Sequence, residues 1–476
     1  MMSHKLERLT LTYQERFAAS IKRKLLSARL YFTVISILLA SVTGGVTLGY
    51  SSSVSAQLLL PDFILAFFSS VINLGALIGS LFVGPLLTFK GRRATLRFST
   101  LPALLGWFMI YSSKGLSPPS EPTNGLITLL LLGRILTGVA AGMLLATASV
   151  FLVEVAPLSQ RGQIGSFAQF GIVAGICIAY AFGMYKTWFE TAMLMLLPTA
   201  GLFILCFYLP ESPVWLFRNG NRKLALSNLS WLRGDRSVAI DELSASVATN
   251  DSGANESQLG LVSLIFPCTA VLPELRSRLR MAINLMIFQQ LTGVNAITFY
   301  TEPLCQKFVP ISQSARCAFS LGLAQLVFSL IACLFIDRFP RRVLMLSTGV
   351  IMSISLVLFA LGQQFPKLIP VSPIVSLIFF LFGYCCGWGP LAMLITLELF
   401  PVSQRGPAGG AAVATSWIAS FVVTQTCKLL INVFGEFFTF FSYALFTAAG
   451  SVYFMRHLPE TNQACLSFRA PTPIPV

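Results

Sequence analysis

Apolar and polar positions fall along this chain in long blocks, not with the short periods of a soluble fold. Apolar runs recur at roughly 31–53, 65–87, 94–112, 125–153, 165–184 and 188–209. After a polar stretch at 210–279 they resume at roughly 281–308, 315–336, 343–362, 368–396, 407–432 and 436–456. Most are close to the twenty or so residues that an α-helix needs to cross a bilayer. The pattern predicts an all-α membrane protein of twelve transmembrane helices in two six-helix halves. In that scheme 1–30 is a cytosolic N-tail and 31–209 a first bundle. A cytosolic linker with short amphipathic helices (210–279), a second bundle (280–457) and a cytosolic C-tail (458–476) follow.

Composition agrees. The chain is 55% hydrophobic and only 11% charged, where soluble domains carry about a quarter charged residues. A net charge of +15 raises the question of nucleic acid, but the charge sits in short loops between apolar runs. With the N-terminus inside, 26 Lys and Arg fall on the cytosolic side, six outside, and Arg134 within a span. That asymmetry is what the positive-inside rule requires, so a lipid bilayer is the expected partner and nucleic acid is not. The polar, basic first thirty residues lack a signal-peptide cleavage pattern and read as leading into an uncleaved anchor. The ten cysteines are scattered and read as small apolar residues facing a reducing side, not as a disulfide or metal framework. Asn228, Asn250 and Asn255 fit the glycosylation pattern but fall on the predicted cytosolic side.

The chain repeats itself. Glu154-Val-Ala-Pro157-Leu-Ser-Gln-Arg161-Gly162 recurs as Glu398-Leu-Phe-Pro401-Val-Ser-Gln-Arg405-Gly406, 244 positions on. Lys90-Gly-Arg92-Arg93 matches Phe339-Pro-Arg341-Arg342, and Pro210-Glu211-Ser212 matches Pro459-Glu460-Thr461, both 249 positions on. Two homologous bundles of this kind form the halves of a rocking transporter, with the solute between them at mid-membrane. Arg92, Arg93, Glu154, Arg161, Asp337, Arg341, Arg342, Glu398 and Arg405 lie at span ends on one side. They are candidates for a cytosolic gate whose ion pairs hold the halves together when it is shut. The plainer reading is that they anchor loops at the headgroups.

Taken in order, these segments resemble the sugar porter family of the major facilitator superfamily. The residues that carry the likeness are Gly133-Arg134-Ile-Leu-Thr-Gly138, the Glu154 and Glu398 repeats, and Pro-Glu-Ser-Pro at 210–213. Gln289-Gln290-Leu-Thr-Gly293-Val-Asn295, Gly387-Trp388-Gly389-Pro390 and Pro459-Glu460-Thr461 complete it, over roughly residues 30–462. Gly49-Tyr50-Ser51-Ser52 and the Gly-Trp-Gly-Pro segment lean toward the branch of intracellular-type glucose facilitators and insect trehalose facilitators. The resemblance implies the major facilitator fold and sugar transport. Proton-coupled members carry an Asp after the Gly-Tyr of span 1, paired with the span 4 arginine. Here that position is Ser51, while Arg134 remains, and no carboxylate falls well inside a predicted span, so uniport is expected. Where the family often has Gly-Pro-x-Pro-Trp, this chain has Gly389-Pro390-Leu391-Ala392-Met393. Met393 cannot stack on a sugar ring as an indole does, and Ala392 in place of proline should let the helix run straighter.

A sugar site needs amides and hydroxyls that donate and accept, plus aromatic faces. Gln289, Gln290 and Asn295 cluster around Gly293, which can loosen the helix. Gln169, Gln325 and Trp417 stand where the family's sugar contacts resemble them, with Met393 as an altered floor and Phe299 and Tyr300 resembling an outer gate. Interhelical glue is the plainer reading of each amide, and close helix packing that of Gly75, Gly79, Gly138 and Gly142. The expected function is facilitative transport of a hexose or trehalose by a chain working as a monomer, at the plasma membrane or an intracellular vesicle. The alternatives are a proton-coupled symporter, an orphan carrier of another polar solute, and a non-transporting sugar sensor. No nucleophile–base set, phosphate loop or metal-ligand spacing appears, so neither enzyme activity nor a cofactor or metal is expected.

Overall fold

In the computed structural model the described residues are 2–55, 57–58, 60–115, 123–157, 160–242, 273–365, 373–400 and 405–459, with the backbone alone at 2–27, 62, 273–275, 337 and 405–408. The first half comprises α1 (Met2–Ser55), α2 (Asp62–Lys90), α3 (Arg92–Ser112), α4 (Asn124–Val155), α5 (Arg161–Tyr185) and α6 (Trp188–Leu205). Two short helices follow, α7 (Pro213–Arg218) and α8 (Arg222–Arg233). The polar stretch read as an N-tail continues the first helix, whose apolar part is Ala28–Ser55.

Span 7 is broken into three pieces: α9 (Pro273–Leu291), α10 (Val294–Phe299) and α11 (Thr301–Cys305). The first break is at Gly293, whose φ of 78° is left-handed and suits a residue without Cβ. Then come α12 (Ile311–Phe335) and α13 (Arg341–Gln364). Span 10 comprises α14 (Pro373–Gly383), a π-helical turn at Tyr384–Trp388 and α15 (Gly389–Leu399). Ala392 sits in regular helix, but the π turn interrupts the span upstream, so losing the proline does not leave it uniform. The last helix, α16 (Arg405–His457), bends at Gly435, which has φ 82°, and so supplies spans 11 and 12.

Nine helical stretches among the described residues are long and apolar enough to cross a membrane. The more polar α3, the broken span 7 and the second arm of α16 bring the count to the twelve of a major facilitator fold. Phe82, Phe108, Leu197 and Phe379 lie exposed on the outer surface, as lipid-facing side chains should. Within the first half, α2 and α4 touch backbone to backbone. A Cβ on Gly75 would lie 2.3 Å from the Ile135 carbonyl oxygen, and one on Gly142 would lie 2.1 Å from that of Ala76. Small residues that let helices approach this closely are how spans associate without a hydrophobic drive.

The two halves meet at the end of the molecule away from α7 and α8. There the Tyr180 hydroxyl donates to the Thr298 carbonyl at 2.7 Å. The Glu302 amide donates to Ser52 Oγ at 3.0 Å, and Asn73 Nδ2 donates to Thr424 Oγ1 at 3.1 Å. Below these bonds an apolar plug of Leu48, Ile72, Leu145, Tyr180, Phe299 and Trp417 joins the halves.

Candidate functional site

Beneath that plug lies a cavity of about 170 Å³ between the halves. Its lining descends from Thr298 to Val153, Gly165 and Leu397. The last three lie within about a turn of their helix ends on the face that carries α7 and α8. All seven residues singled out for solute contact line it: Gln169, Gln289, Gln290, Asn295, Gln325, Met393 and Trp417.

The break at Gly293 gathers the amides. Gln289 Nε2 donates to the carbonyls of Trp388 and Gly389, at 2.9 and 3.2 Å, and so ties α9 to the turn of span 10. Gln290 Nε2 donates to Ser416 Oγ at 2.8 Å, while its carbonyl oxygen accepts from Asn295 Nδ2 at 2.7 Å. Asn295 also donates to Ser420 Oγ at 2.7 Å. Ser416 is therefore a partner of Gln290. Glue and site coincide here, because amides that orient one another also present their remaining lone pairs and protons to the cavity.

The lining residues Trp417 and Gln169 carry polar groups with no protein partner among the described residues. The indole Nε1–H of Trp417 is buried without an acceptor, and the half-buried Gln169 makes no hydrogen bond. A buried donor left unmade costs about 1–3 kcal/mol, and the Trp417 N–H stands behind the cavity surface, closed off from it in this conformation. Met393 is half-buried on the opposite wall, and Phe299 and Tyr300 stand at the top, packed in or against the apolar plug.

Arg134 and Ser51 lie off the cavity, inside the first half. The Arg134 guanidinium is fully buried and donates to the Thr47 carbonyl at 3.0 Å and to Ser51 Oγ. It lies over the rings of Tyr50 and Phe68, at 5.5 and 5.1 Å, and no carboxylate pairs with it among the described residues. Ring faces and a carbonyl oxygen are the acceptors that keep a buried cation solvated there.

Around α7 and α8 the ion pairs among the described side chains run within each half. Arg92 holds Glu154 through two bonds, at 2.8 and 2.6 Å, and donates to the Leu87 carbonyl at 3.0 Å. In the second half Arg341 reaches Glu398 at 3.4 Å and donates to the Ile336 carbonyl. Arg92 and Arg341, like Leu87 and Ile336, stand 249 positions apart, so the repeat extends to individual hydrogen bonds. Arg93 Nη1 donates to the Leu209 carbonyl at 3.3 Å, and Arg342 donates to that of Met455. Arg161 opens α5 without a direct ion pair among the described residues. Asp337 and Arg405 lie outside the described side chains.

Three features were not foreseen from the sequence. Ser212 donates to Glu154 at 2.6 Å and caps α7, locking the Pro-Glu-Ser segment onto the Arg92 pair. Glu211 accepts the backbone N–H of Arg92 and Arg93 at the start of α3. Burial pushes its carboxyl up from the ordinary range, with the N–H bonds of Ser212, Arg92 and Arg93 pulling the other way. Gly91, at φ 86°, makes room for it, since a Cβ would stand 2.6 Å from the Glu211 carboxylate. The third is Glu302. No carboxylate was expected well inside a span, and Glu302, at a span end, is nevertheless only 8% exposed. It sits near the end of span 7, and the break at Tyr300 turns it inward against Ser52 and Ser314.

The family profile described as "Sugar (and other) transporter" matches residues 22–467. The mouse protein named solute carrier family 2, facilitated glucose transporter member 8, is 29% identical over 466 residues, covering 91% of this chain and 92% of that one. The facilitated trehalose transporter Tret1 of Apis mellifera ligustica is 29% identical over 398 residues, covering 83% and 76%. Among solved structures, the xylose transporter XylE from E. coli in a partially occluded inward open conformation superposes with a TM-score of 0.74. It is 19% identical and covers 90% of this chain and all of that one.

Proposed function

The chain belongs to the sugar (and other) transporter family, and from that premise we propose that it carries a hexose down its gradient as a uniporter. The observation that carries this reading is the cavity between the halves. It combines an amide and hydroxyl cluster (Gln289, Gln290, Asn295, Ser416) with the unengaged amide of Gln169 and the indole ring of Trp417. It holds no Lys, Arg, Asp or Glu among its lining residues, which favours a neutral polyol over an acid. Relatives named for facilitated glucose and trehalose transport support the class. The volume of about 170 Å³ is below the roughly 300–1,000 Å³ of pockets for drug-sized ligands, in keeping with a small solute.

Uniport rests on Ser51. A serine cannot titrate against Arg134, so the pair has no proton to release during the cycle. The face carrying α7 and α8 is assigned to the cytosol from the distribution of Lys and Arg, and the cavity then faces inward. Passage to the outward-facing state requires the bonds of Tyr180, Ser52 and Asn73 to open while the α7 side closes. The nine charged candidates at the span ends would then govern that side, with Arg92–Glu154 and Arg341–Glu398 stiffening each half as it rocks. The chain works as a monomer, at the plasma membrane.

A second reading, proton-coupled uptake, is favoured by one observation, the buried Glu302. The deciding experiment is uptake of radiolabelled sugars into proteoliposomes with and without an imposed proton gradient. Glucose uptake indifferent to the gradient, and sharply reduced at low sugar concentration in Gln290→Ala, is expected. Gradient-driven accumulation would overturn uniport. Binding without uptake would identify a sensor, and absence of sugar binding a carrier of another solute.

A further inference from the structure

The cysteines look scattered in the sequence, yet the fold brings two of them into contact. Cys305 ends α11 and Cys317 lies in the second turn of α12, and their sulfurs stand 2.7 Å apart. Non-bonded carbons settle at about 3.5–4.0 Å, and sulfur is the larger atom. The two thiols are therefore well inside van der Waals contact and close to the roughly 2.05 Å of a covalent S–S bond. Cys305 is 1% exposed, whereas Cys317 is half-buried, so one sulfur of the pair remains open to an exchanging partner.

We propose that Cys305 and Cys317 form a disulfide that clips the outer end of span 7 to span 8. The proposal rests on the orientation given above, which puts both residues on the non-cytosolic side, where disulfides form and persist. The step is thiol–disulfide exchange. A small-molecule or oxidoreductase disulfide is attacked by the Cys317 thiolate, giving a mixed disulfide and one released thiol. Cys305 then displaces the second thiol. Two protein thiols lose two protons and two electrons, and the oxidant's S–S bond takes them up as two thiols.

The bond suits its place. With five residues, α11 is too short to hold itself, and its described ties are few. The Glu302 amide donates to Ser52 of the other half at 3.0 Å, a bond that must break as the outer side opens. Ser314 donates to the Glu302 carboxylate at 3.5 Å, within the same half. The sulfur pair reinforces this weak second tie, so α11 travels with α12 when the Ser52 bond is lost.

Trypsin cleaves between the two cysteines, after Lys307 and Arg316. Membranes from cells quenched with N-ethylmaleimide are denatured and digested without reductant, and the peptides read by mass spectrometry. Peptides 281–307 and 317–338 are expected as one species that separates on reduction, with fragmentation placing the bond on Cys317 and not Cys333. In Cys317→Ser, peptide 281–307 should run alone with Cys305 alkylated; if it stays joined to another peptide, the assignment is overturned. Both wild-type peptides recovered singly and alkylated would also overturn the bond. A Lys223→Cys variant on α8, probed with an impermeant maleimide in intact cells, separates the causes. Protection there locates the failure in the cysteine pair, and labelling locates it in the orientation.

Discussion

Ser51 accepts a hydrogen bond from Arg134 at the position where an acid would make a salt bridge. The guanidinium is fully buried, and its other contacts are the Thr47 carbonyl and two aromatic rings. Ser51→Asp puts a titratable group into that contact. Uptake by the variant is expected to respond to an imposed pH gradient by severalfold, where the wild type does not. The check is paired proteoliposome uptake at equal and unequal pH; an unresponsive variant would show that this pair alone does not confer coupling.

Gln290 is the hinge of the amide cluster, donating to Ser416 and accepting from Asn295. A hydrogen bond is worth about 1 kcal/mol net, and 1.4 kcal/mol is about tenfold in affinity. Gln290→Ala should therefore raise KM by about tenfold or more, and Ser416→Ala by a few-fold. Concentration-dependent uptake distinguishes the two, and equal effects would contradict this ordering.

Trp417 offers two things, an indole face and an N–H without a protein acceptor. Trp417→Phe keeps most of the face and removes the donor. Thermal stability in detergent should be unchanged or slightly higher, since an unmade buried bond disappears, and KM should change by less than about twofold, since the N–H is closed off from the cavity in this conformation. A several-fold rise in KM would show that the donor reaches the solute elsewhere in the cycle.

Gly142 lies against the Ala76 carbonyl with no room for a methyl group. Overpacking of this kind costs about 1–3 kcal/mol. Gly142→Ala should lower the melting temperature measured by fluorescence-detected size exclusion. Gly410, which has open space around it, should tolerate alanine.

Arg92 and Arg341 make matching bonds in the two halves, but with unequal geometry, 2.6 Å to Glu154 against 3.4 Å to Glu398. Arg92→Lys loses a two-point contact that a lysine cannot reproduce, and should reduce uptake several-fold, with Glu154→Gln reducing it in the same way. Uptake normalised to protein in the membrane tests this, and wild-type uptake in both variants would contradict it.

The architecture was legible because hydropathy blocks and a repeat do not depend on knowing which helices touch. Two offsets in the sequence sufficed to pair Arg92 with Arg341, and the fold carries that equivalence down to the carbonyls of Leu87 and Ile336. The gathering of Gln169, Gln325 and Trp417 with the span 7 amides was expected from resemblance, not from any periodicity. What could not be read was the direction of side chains near helix breaks. Glu302 looks interfacial by position and is buried because the chain turns at Tyr300. Glu211 looked like a loop acid and in fact caps α3, since only the fold brings residues 91 and 211 together. Cys305 and Cys317 stand twelve residues apart across a loop, a spacing that says nothing about contact until α11 and α12 are placed side by side.

The two interruptions of span 7 have a consequence for heat. The nineteen residues of α9 carry their own ladder of backbone bonds, whereas α10 and α11, with six and five residues, are shorter than isolated helices survive in water. Their shape is borrowed from neighbours, so warming loosens them before it loosens anything they lean on. A carrier whose upper door melts ahead of its frame should show a steeper rise of leak than of turnover with temperature. Its upper working temperature would then be set by eleven residues and not by the stability of the whole bundle.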